Sequence, residues 1–585
     1  MVKLVNTLAS GASAERFVGS SPTLGIMKKS NSVRIIPLGG CEEVGRNMTV
    51  FEYGNDIVIL DMGIQFPEED MPGIDYAIPN VEYLRGKEKR IRGVLFSHGH
   101  LDHIGAAPLL LQKLGNPPII ARPLTIEMIK RRQEEFAKDS SKKLKPIYIR
   151  NVQDKISLGS FRARFFQIDH AIMDAVGIIL ETPLSTIIHS GDWTMEHGPV
   201  GREEIKYTHL SKLKRPTILM LESLGAINPK KPVTEEQMLN NLYRLISAAP
   251  GRTIFTTFSS QILRIKQILD YASKIGKKVA LDGFSMKVNV EIARKLGYIK
   301  PAKDSVISTD RISNYPDNKV VIICTGAQGE EMSVLPRIAS GNHRFIKLKK
   351  NDTVIFSSSV IPGNERTVQR LKDNIYRLSD YVFHSDIMDV HTSGHSNVWD
   401  IKKIINQIKP DYFIPVYANH FILKEAAKIA YGLGFPKERV LVPDNGSVIR
   451  VSRERVEILL KEKAPTNYIF VDGLGVGDVG EIVLRDRQML AKDGMFVIVV
   501  VVDRRTGKVK GSPDIISRGF VYLRESKELL SQTRKKVIEI VNQATGSGGA
   551  VNWVYIKDEI RNRIGQFLYT KIQRRPMILP VVIEV

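Results

Sequence analysis

The sequence predicts a multidomain α/β protein, and three observations support this. At 585 residues with 43% hydrophobic content, the chain is too long for one core and should form about three or four domains. Short apolar strands, each followed by polar residues, recur between Val33 and Pro216. From Thr217 onward, strands alternate with helices, which is typical of a parallel, doubly wound sheet.

The charge balance favours a polyanionic partner. The chain has 85 Lys and Arg residues against 63 Asp and Glu residues, which gives a net charge of +22. Such an excess attracts polyanions and makes their binding depend on salt. Basic composition is shared by many proteins whose charged faces are merely solvated, so it does not by itself identify a nucleic acid.

Cysteine usage and hydropathy exclude two classes of protein. Cys41 and Cys324 are the only cysteines in the sequence, too few for a disulfide framework or a thiolate metal cluster. Their scarcity fits a reducing compartment, and we expect a cytoplasmic protein. The longest apolar run, residues 495–502, is well short of the roughly 18 residues of a membrane helix and predicts a buried strand. We therefore expect no membrane span.

The chain begins with a polar segment and then a first α/β domain. Residues 1–31 are rich in Ser, Gly and Ala and predict a flexible tail. Strands at 57–60, 93–96 and 186–189 each place polar residues after their last apolar position. Layered α/β domains carry their functional sites at such strand ends. We assign residues 32–216 to the first part of this domain.

Residues 217–385 predict a second, inserted domain. Strands at 217–221, 252–258 and 277–281 alternate with helices at 235–248 and 261–275. Thr234 and Gln237 have the spacing of a capping box, which places the start of the first of these helices at residue 235.

The remaining chain divides into three parts. Polar strand ends return in residues 386–452, which we assign to the first domain resuming after the insertion. The charged residues 453–467 predict a linker, and residues 468–585 a small C-terminal α/β domain. Its predicted elements are strands at 495–503 and 520–523, helices at 526–544 and 558–571, and a loop at Gly546 to Gly549.

The most informative segment is Ser97-His98-Gly99-His100-Leu101-Asp102-His103. It places four metal-ligand side chains within six residues and contains three of the 12 histidines of the chain. Where a strand runs into a loop, His98 and His100 can face one ion while Asp102 and His103 face a neighbouring site. Imidazole nitrogens combined with a carboxylate suit zinc or a similar borderline ion.

Other polar residues follow apolar runs in the same way. They are Asp61, His170 and Asp192. Taken singly, the aspartates are more often caps or turn residues, and a lone histidine is more often a satisfied core residue. A dinuclear hydrolytic site, however, needs imidazoles on each ion and a carboxylate that bridges them. Together with the segment 98–103, these residues supply that set.

The pattern His98-x-His100-x-Asp102-His103, with Asp61, His170 and Asp192, resembles the metallo-β-lactamase superfamily. The resemblance implies an αββα sandwich with two zinc ions, manganese or magnesium being alternatives. It implies a first ion on His98, His100 and His170, a second on Asp102 and His103, and Asp192 bridging the two. Asp61 would orient a histidine or the loop.

The insertion resembles the β-CASP domain of nucleic-acid-processing members of that superfamily. Glu222 matches its acidic motif, and His395 matches the histidine proposed near the scissile phosphate. The resemblance implies that Asp102, Glu222 and His395 serve catalysis, with His395 protonating the leaving oxygen or holding phosphate charge. The alternative is that His395 is a polar residue that caps the next helix.

Further segments resemble the ribonuclease J family over residues 32–585. They include residues 37–40, 66–68, 325–330, 362–365, 472–478, 513–521 and 574–580, and also Met286. The resemblance implies a 5′-to-3′ exoribonuclease with endonuclease activity, acting on single-stranded RNA in mRNA decay and rRNA maturation. It also implies a homodimer or homotetramer and RNA-decay partners such as a helicase. The RNA 5′ monophosphate would bind beside His391, Thr392, Ser393, Gly394 and His395.

One position departs from the family pattern. Tyr417 stands where the family has a histidine ligand of the second metal. A phenol has a reference pKa of about 10 and replaces imidazole poorly, so we expect a weak second site. His420, three residues later, is a candidate substitute, although it can equally face elsewhere.

Three hypotheses therefore stand. The chain is an active metallo-ribonuclease, an RNA-binding scaffold subunit with weakened catalysis, or a hydrolase of small esters or thioesters. The inserted domain and the net charge of +22 count against the third. DNA also stays open as a substrate, because phosphate contacts barely distinguish the two sugars.

Overall fold

A computed structural model describes residues 32–68, 70–195, 204–229, 233–361, 363–473, 475–521, 526–545 and 552–585. The predicted flexible tail, residues 1–31, and the predicted loop from Gly546 to Gly549 lie outside the described residues. None of the helices within these ranges is long and apolar enough to cross a membrane.

The first part of the chain builds strands that end in polar residues, as expected. The strands are β1 (Val33–Gly39), β2 (Met48–Tyr53), β3 (Asp56–Leu60), β4 (Tyr76–Ile78), β5 (Ile91–Leu95), β6 (Ile119–Ala121), β7 (Pro146–Tyr148), β8 (Lys155–Leu158), β9 (Phe161–Gln167), β10 (Val176–Glu181), β11 (Thr186–His189) and β12 (Thr217–Glu222). The helices are α1 (Leu101–Ile104), α2 (Ala107–Lys113) and α3 (Pro123–Phe136).

The middle of the chain forms a doubly wound domain. Its strands are β13 (Thr253–Thr256), β14 (Lys278–Asp282), β15 (Val306–Ile307), β16 (Val320–Cys324), β17 (Thr353–Phe356) and β18 (Tyr381–Phe383), and its helices are α4 (Glu235–Ala248), α5 (Ile262–Lys274), α6 (Phe284–Lys295), α7 (Val334–Ala339) and α8 (Glu365–Tyr376). The strand order is β15-β14-β16-β13-β17-β18, and all paired strands are parallel. Helices α4, α5 and α6 bury one face of this sheet, and α7 and α8 bury the other.

The chain then returns to the first domain. The elements are α9 (Val398–Ile408), β19 (Tyr412–Val416), α10 (His420–Gly432), β20 (Ser447–Val451) and β21 (Val456–Lys463). One sheet has the order β21-β20-β1-β2-β3-β5-β6-β7, and the other β19-β12-β11-β10-β9-β8. Side chains such as Phe51, Leu60, Ile178 and Ile188 pack between the sheets. Helices cover their outer faces, which confirms the predicted αββα sandwich.

Two segments have positions in the fold that differ from those predicted from the sequence. Strand β12 was expected to open the doubly wound sheet, but it lies between β11 and β19 in the sandwich. Alternation of strands and helices does not reveal which sheet a fully buried strand joins. The predicted linker, residues 453–467, contains β21, which pairs antiparallel with β20. Its charged side chains fit an exposed edge strand as well as a connector.

The C-terminal part is also α/β. Its elements are β22 (Ile469–Asp472), β23 (Gly475–Val476), α11 (Glu481–Asp493), β24 (Met495–Val502), β25 (Asp514–Arg518), α12 (Lys527–Thr545), α13 (Trp553–Ile572) and β26 (Met577–Glu584). The predicted strand at 495–503 is confirmed. The strand expected at 520–523 is replaced by β25, which pairs with β24, and residues 522–523 lie outside the described ranges. Strand β22 pairs with β4, which ties this part to the sandwich.

Candidate metal centre

The predicted ligand residues lie at neighbouring strand ends of the sandwich. Strands β3 and β5 are parallel neighbours, so the residues that follow them meet at one edge of the sheet. Asp61 follows β3, and the segment that contains His98 follows β5. His170 lies after β9 and Asp192 after β11 in the facing sheet. The fold therefore gathers residues that lie up to 131 positions apart in the chain.

The first group consists of His98, His100, His170 and Asp192. His100 Nδ1 lies 3.0 Å from His98 Nε2 and 3.0 Å from His170 Nε2. Asp192 Oδ2 lies 3.7 Å from His98 Nε2 and 3.8 Å from His170 Nε2. Four atoms around an ion at about 2.0 to 2.1 Å are separated by roughly 3.3 Å, so these spacings fit a tetrahedral site.

The second group consists of Asp102, His103 and Asp192. His103 Nε2 lies 3.3 Å from Asp102 Oδ2 and 3.3 Å from Asp192 Oδ1. Asp192 thus directs one carboxylate oxygen to each group. Such a shared carboxylate is what two adjacent cations require.

The tautomers of two histidines can be assigned from their other nitrogens. His170 Nδ1 lies 2.7 Å from the carbonyl oxygen of Gly394, which only accepts hydrogen bonds. The Nδ1 of His170 therefore carries the proton, and its Nε2 presents a lone pair to the first group. His103 Nδ1 lies 2.8 Å from Asp61 Oδ2, so its Nε2 likewise faces the second group. These donor sets fit divalent cations.

Asp61 contacts both the histidine-rich loop and the His103 ring. Its carboxylate accepts hydrogen bonds from the Ser97 backbone N–H at 2.9 Å and from the Ser97 hydroxyl at 3.0 Å. It is fully buried and holds both the start of the histidine-rich loop and the His103 ring. Its φ of 60° is a left-handed conformation that aspartate tolerates better than most residues.

The electrostatics differ between the two groups. Burial holds the pKa of His98 and of His170 well below its ordinary value and lowers the pKa of His100 to about 4. These imidazoles are therefore neutral, as metal ligands must be. Burial also acts on His103, but the carboxylates of Asp192, Asp102 and Asp61 raise its pKa well above the ordinary value. These carboxylates make the second group a concentration of negative charge, and a cation bound there would replace the proton on His103 Nε2.

Tyr417 and His420 lie in different surroundings. Tyr417 is buried beside the second group, with its ring centroid 5.3 Å from that of His103. Its hydroxyl donates to Asp61 Oδ2 at 3.3 Å, and burial raises its pKa well above the ordinary value. His420 is the first residue of α10, and its Nδ1 lies 2.7 Å from Asp444 Oδ1. Its ring is therefore engaged away from the metal groups.

Sequence reasoning missed two residues of the centre. Asn47 Nδ2 lies 3.0 Å from His103 Nε2 and 3.3 Å from Asp102 Oδ2. The position directly before β2 was a weak signal that it lies at a strand end. His189 is buried 5.0 Å from Tyr417 between ring centroids, and its Nδ1 accepts from the Gly191 N–H. Its proton is therefore on Nε2, which makes it unsuited to be a ligand as it stands.

Glu222 and His395 form a pair beside the first group. His395 Nδ1 lies 3.6 Å from Glu222 Oε1 and 4.0 Å from Asp192 Oδ2. Glu222 is buried at the end of β12, whereas His395 is partly exposed. Although burial opposes it, the Glu222 carboxylate raises the pKa of His395 to about 9. This pair therefore places an imidazole and a carboxylate side by side next to the metal groups.

The loop before His395 lies between the two domains. His391 Nε2 lies 3.0 Å from the hydroxyl of Ser359, which follows β17. Thr392 is buried and Ser393 is exposed. The Ser393 hydroxyl accepts from the His395 N–H at 3.1 Å, and Gly394 contacts His170 through its carbonyl. Two of the five residues predicted to bind substrate, Gly394 and His395, thus adjoin the metal groups.

Family models match three separate parts of the chain. They are the "Metallo-beta-lactamase superfamily" over residues 42–205, "Ribonuclease J, beta-CASP domain" over residues 250–375, and "Ribonuclease J C-terminal domain" over residues 482–585. The first match contains the whole of both candidate metal groups.

Whole-chain relatives carry the same names. "Ribonuclease J 1" of Streptococcus pyogenes serotype M3 is 36% identical over 562 residues, 95% of this chain and 99% of that protein. "Ribonuclease J2" of Bacillus subtilis is 34% identical over 563 residues, 96% of this chain and 100% of that protein. A crystal structure of a protein of unknown function from Enterococcus faecalis V583 aligns with a TM-score of 0.51 at 16% identity, covers 72% of this chain and 100% of that chain, and supports the fold alone. Because its relatives match over almost their entire length, this chain belongs to the ribonuclease J family.

Proposed function

We propose that the chain is a metal-dependent ribonuclease that hydrolyses phosphodiester bonds of single-stranded RNA. The observation that carries this proposal is Asp192, whose two oxygens face two groups of histidine and aspartate ligands. Family membership and the net charge of +22 support an RNA substrate.

The residue roles follow from the two groups. His98, His100 and His170 would hold one divalent cation, Asp102 and His103 a second, and Asp192 would bridge them. Two such cations supply Lewis-acid chemistry that activates water and stabilises charge on the phosphate. Zinc suits the nitrogen-rich first group, and manganese or magnesium are alternatives for the oxygen-rich second group.

His395 and Glu222 would assist departure of the leaving group. Glu222 would favour the protonated form of His395, whose imidazolium would face the metal groups. That cation either donates its proton to the leaving oxygen or stabilises phosphate charge. Asp102 would serve catalysis by holding the second cation.

The loop at 391–395 would bind the 5′-monophosphorylated end of the RNA. It adjoins the metal groups through the contact between Gly394 and His170. A terminal phosphate held there places the first phosphodiester bonds near the metal groups, which favours 5′-to-3′ exonuclease action. We further propose internal cleavage as a second activity and mRNA decay and rRNA maturation as the roles.

A scaffold subunit with weakened catalysis is the second candidate. The observation that favours it is Tyr417, whose phenol lies beside the second group and donates to Asp61. A neutral phenol is a poorer ligand than imidazole, so the second cation would bind weakly. RNA binding would survive such a defect better than hydrolysis.

The assembly we propose is a homodimer or homotetramer. Strands β24, β25 and β26 present an outer face of apolar side chains that are partly exposed, including Ile516, Leu579, Val581 and Ile583 at 39–44% exposure. A second copy of the chain is the partner we propose for this face. We also propose an RNA helicase as a partner. Because Cys41 and Cys324 are buried and unpaired, we propose a cytoplasmic location.

The test is hydrolysis of 5′-monophosphorylated, single-stranded RNA by the purified chain with zinc or manganese. The matched control is the double variant Asp102→Asn, His103→Ala, which keeps the first group. We expect the wild type to release nucleotides from the 5′ end and the double variant to lose at least about a hundredfold in rate.

RNA binding by the same two proteins separates the two candidates. Equal degradation by wild type and double variant would defeat the catalytic proposal. Binding of RNA by both, with negligible hydrolysis by either, would establish the scaffold candidate instead.

A further inference from the structure

A buried polar cluster joins the doubly wound domain to the loop that carries His395. Arg264, in α5, and Glu235, the first residue of α4, are both buried together with Thr392. Arg264 Nη2 lies 2.9 Å from Glu235 Oε2 and 3.2 Å from Thr392 Oγ1. Arg264 Nη1 donates to Ser357 Oγ, directly after β17, at 3.1 Å.

The Thr392 hydroxyl is both donor and acceptor within this cluster. It donates to Glu235 Oε2 at 3.0 Å and accepts from Arg264 Nη2. A hydroxyl has one proton to donate, and a phosphate offers acceptors. Thr392 therefore cannot donate to an RNA phosphate unless it releases Glu235.

The partners of Thr392 are themselves fixed. Gln267 donates through Nε2 to Glu235 Oε1 at 3.1 Å and accepts through Oε1 from Arg264 Nε at 3.3 Å. A buried ion pair whose atoms are matched by further hydrogen bonds is rigid, because any displacement leaves a charge unpaired. Thr392 is thus attached to a rigid part of the doubly wound domain.

We propose that Thr392 is a positioning residue through which Glu235 and Arg264 fix loop 391–395 against the doubly wound domain. This inference rests on the proposed binding of a 5′ monophosphate by that loop and changes the role of one of its residues. Ser393 is exposed, whereas its neighbour Thr392 is buried against Glu235 and Arg264. Phosphate contacts fall to the exposed side of the loop, and Thr392 sets where that side lies.

The test uses the full chain with its metal, the variant Thr392→Val, and two measurements. The first is the ratio of Kd values for 5′-hydroxyl and 5′-monophosphorylated RNA, both protected by phosphorothioates at their first linkages. The second is amide hydrogen exchange of residues 391–395 in the absence of RNA. We expect the preference for the monophosphate to fall about tenfold and exchange of the loop to rise, because the buried hydrogen bonds are lost.

Two further variants control for other causes. Thr392→Ser keeps the hydroxyl and is expected to recover most of the preference and of the protection from exchange. Thr353→Val removes a buried hydroxyl in β17 that has no hydrogen-bond partner within the described residues, and it should change neither quantity.

The other possible results of these measurements would overturn the inference. A lower preference with unchanged exchange would make Thr392 a direct phosphate ligand and overturn the inference. An unchanged preference, with or without faster exchange, would also overturn it. A wild type that binds both RNA ends equally would overturn the proposed end-binding function and this inference with it.

Discussion

Asp61 accepts hydrogen bonds from three residues of the centre, and one of them is a tyrosine at a position where a histidine ligand was expected. Its carboxylate holds Ser97, the His103 ring and the Tyr417 hydroxyl. A histidine at this position would offer an imidazole nitrogen to the second cation. Here the phenol donates to the carboxylate that orients His103. The phenol therefore adds a hydrogen bond to Asp61 without adding a ligand for the second cation.

Restoring an imidazole at this position should strengthen the second site. We predict that Tyr417→His raises the bound metal from about one to about two ions per chain after dialysis against limiting zinc, because a neutral imidazole is a good ligand. Elemental analysis of the purified protein measures this. Tyr417→Phe keeps the ring without a ligand atom and should stay near the wild-type value. Two ions per chain in the wild type would contradict the prediction.

At the scale of elements, capping residues and buried carboxylates fix where helices and strands end. The capping box predicted from Thr234 and Gln237 is confirmed, with the Gln237 N–H donating to Thr234 Oγ1 at 3.2 Å. It fixes the start of α4 and hence the position of Glu235. At the end of β14, Asp282 accepts from Lys287 Nζ at 2.9 Å and lies 2.9 Å from His343 Nε2.

Removing the cap should loosen the start of α4. We predict that Thr234→Ala lowers the local stability of this helix by about 1 kcal/mol, because the first N–H groups lose their acceptor. Hydrogen exchange of residues 235–239 measures the change. Thr234→Ser retains an acceptor and should exchange like the wild type. Equal protection in all three proteins would show that packing alone sets this helix end.

The contribution of Asp282 to the stability of the doubly wound domain should depend on pH. Burial opposes it, but Lys287 and His343 lower the pKa of Asp282 below its ordinary value. A lowered pKa in the folded state stabilises the fold above the ordinary pKa, and the contribution is lost as the pH falls through the lower value. We predict that Asp282→Asn destabilises the doubly wound domain by about 1 kcal/mol at pH 7.

The difference in free energy of unfolding between Asp282→Asn and the wild type should shrink below about pH 4. Hydrogen exchange of β14 measures the stability difference at pH 7. Chemical denaturation from pH 7 to pH 3 measures how that difference changes with pH. His343→Gln serves as a control, since it removes one partner and leaves the carboxylate. A difference that stays constant over this range would contradict the assigned ionisation.

At the scale of the whole molecule, polar contacts join the sandwich to the doubly wound domain at two places. At the first, Asp174 of the sandwich accepts from the Tyr298 hydroxyl of the doubly wound domain at 2.7 Å and from the Leu124 N–H at 3.0 Å. At the second, Thr392 contacts Glu235 and Arg264. These contacts fix the inserted domain relative to the metal ligands.

The apolar outer face of β24, β25 and β26 should mediate self-association. We predict that Val581→Lys reduces the assembly to smaller species, because burying an unpaired charge in an apolar interface is costly. Multi-angle light scattering after size-exclusion chromatography measures the mass. Leu460→Lys, at a side chain that is 94% exposed on β21, is the matched control and should keep the wild-type mass. A monomeric wild type would contradict the proposed assembly.

Local sequence patterns predicted most strands and helices and the grouping of the candidate ligands. They failed where a residue's position depends on contacts with residues far away in the chain. The predicted ligands His98, His170 and Asp192 lie together because each follows an apolar strand, and the ends of neighbouring strands converge. The sheet to which β12 belongs was missed, because a fully buried strand carries no mark of its neighbours. Asn47 was missed because its role depends on contacts with residues 55 and 56 positions away. The hydroxyl contact of Tyr417 with Asp61 spans 356 positions and has no local signature.

The bond from His170 Nδ1 to the Gly394 carbonyl has a thermodynamic consequence. A cation held at Nε2 would polarise the imidazole and strengthen the hydrogen bond that Nδ1 donates, which would restrain the backbone of loop 391–395. Occupancy by metal and the proposed affinity for a phosphorylated RNA end would then be linked. By reciprocity, a bound RNA 5′ end should raise the affinity for the cation by the same factor by which the cation raises the affinity for that end.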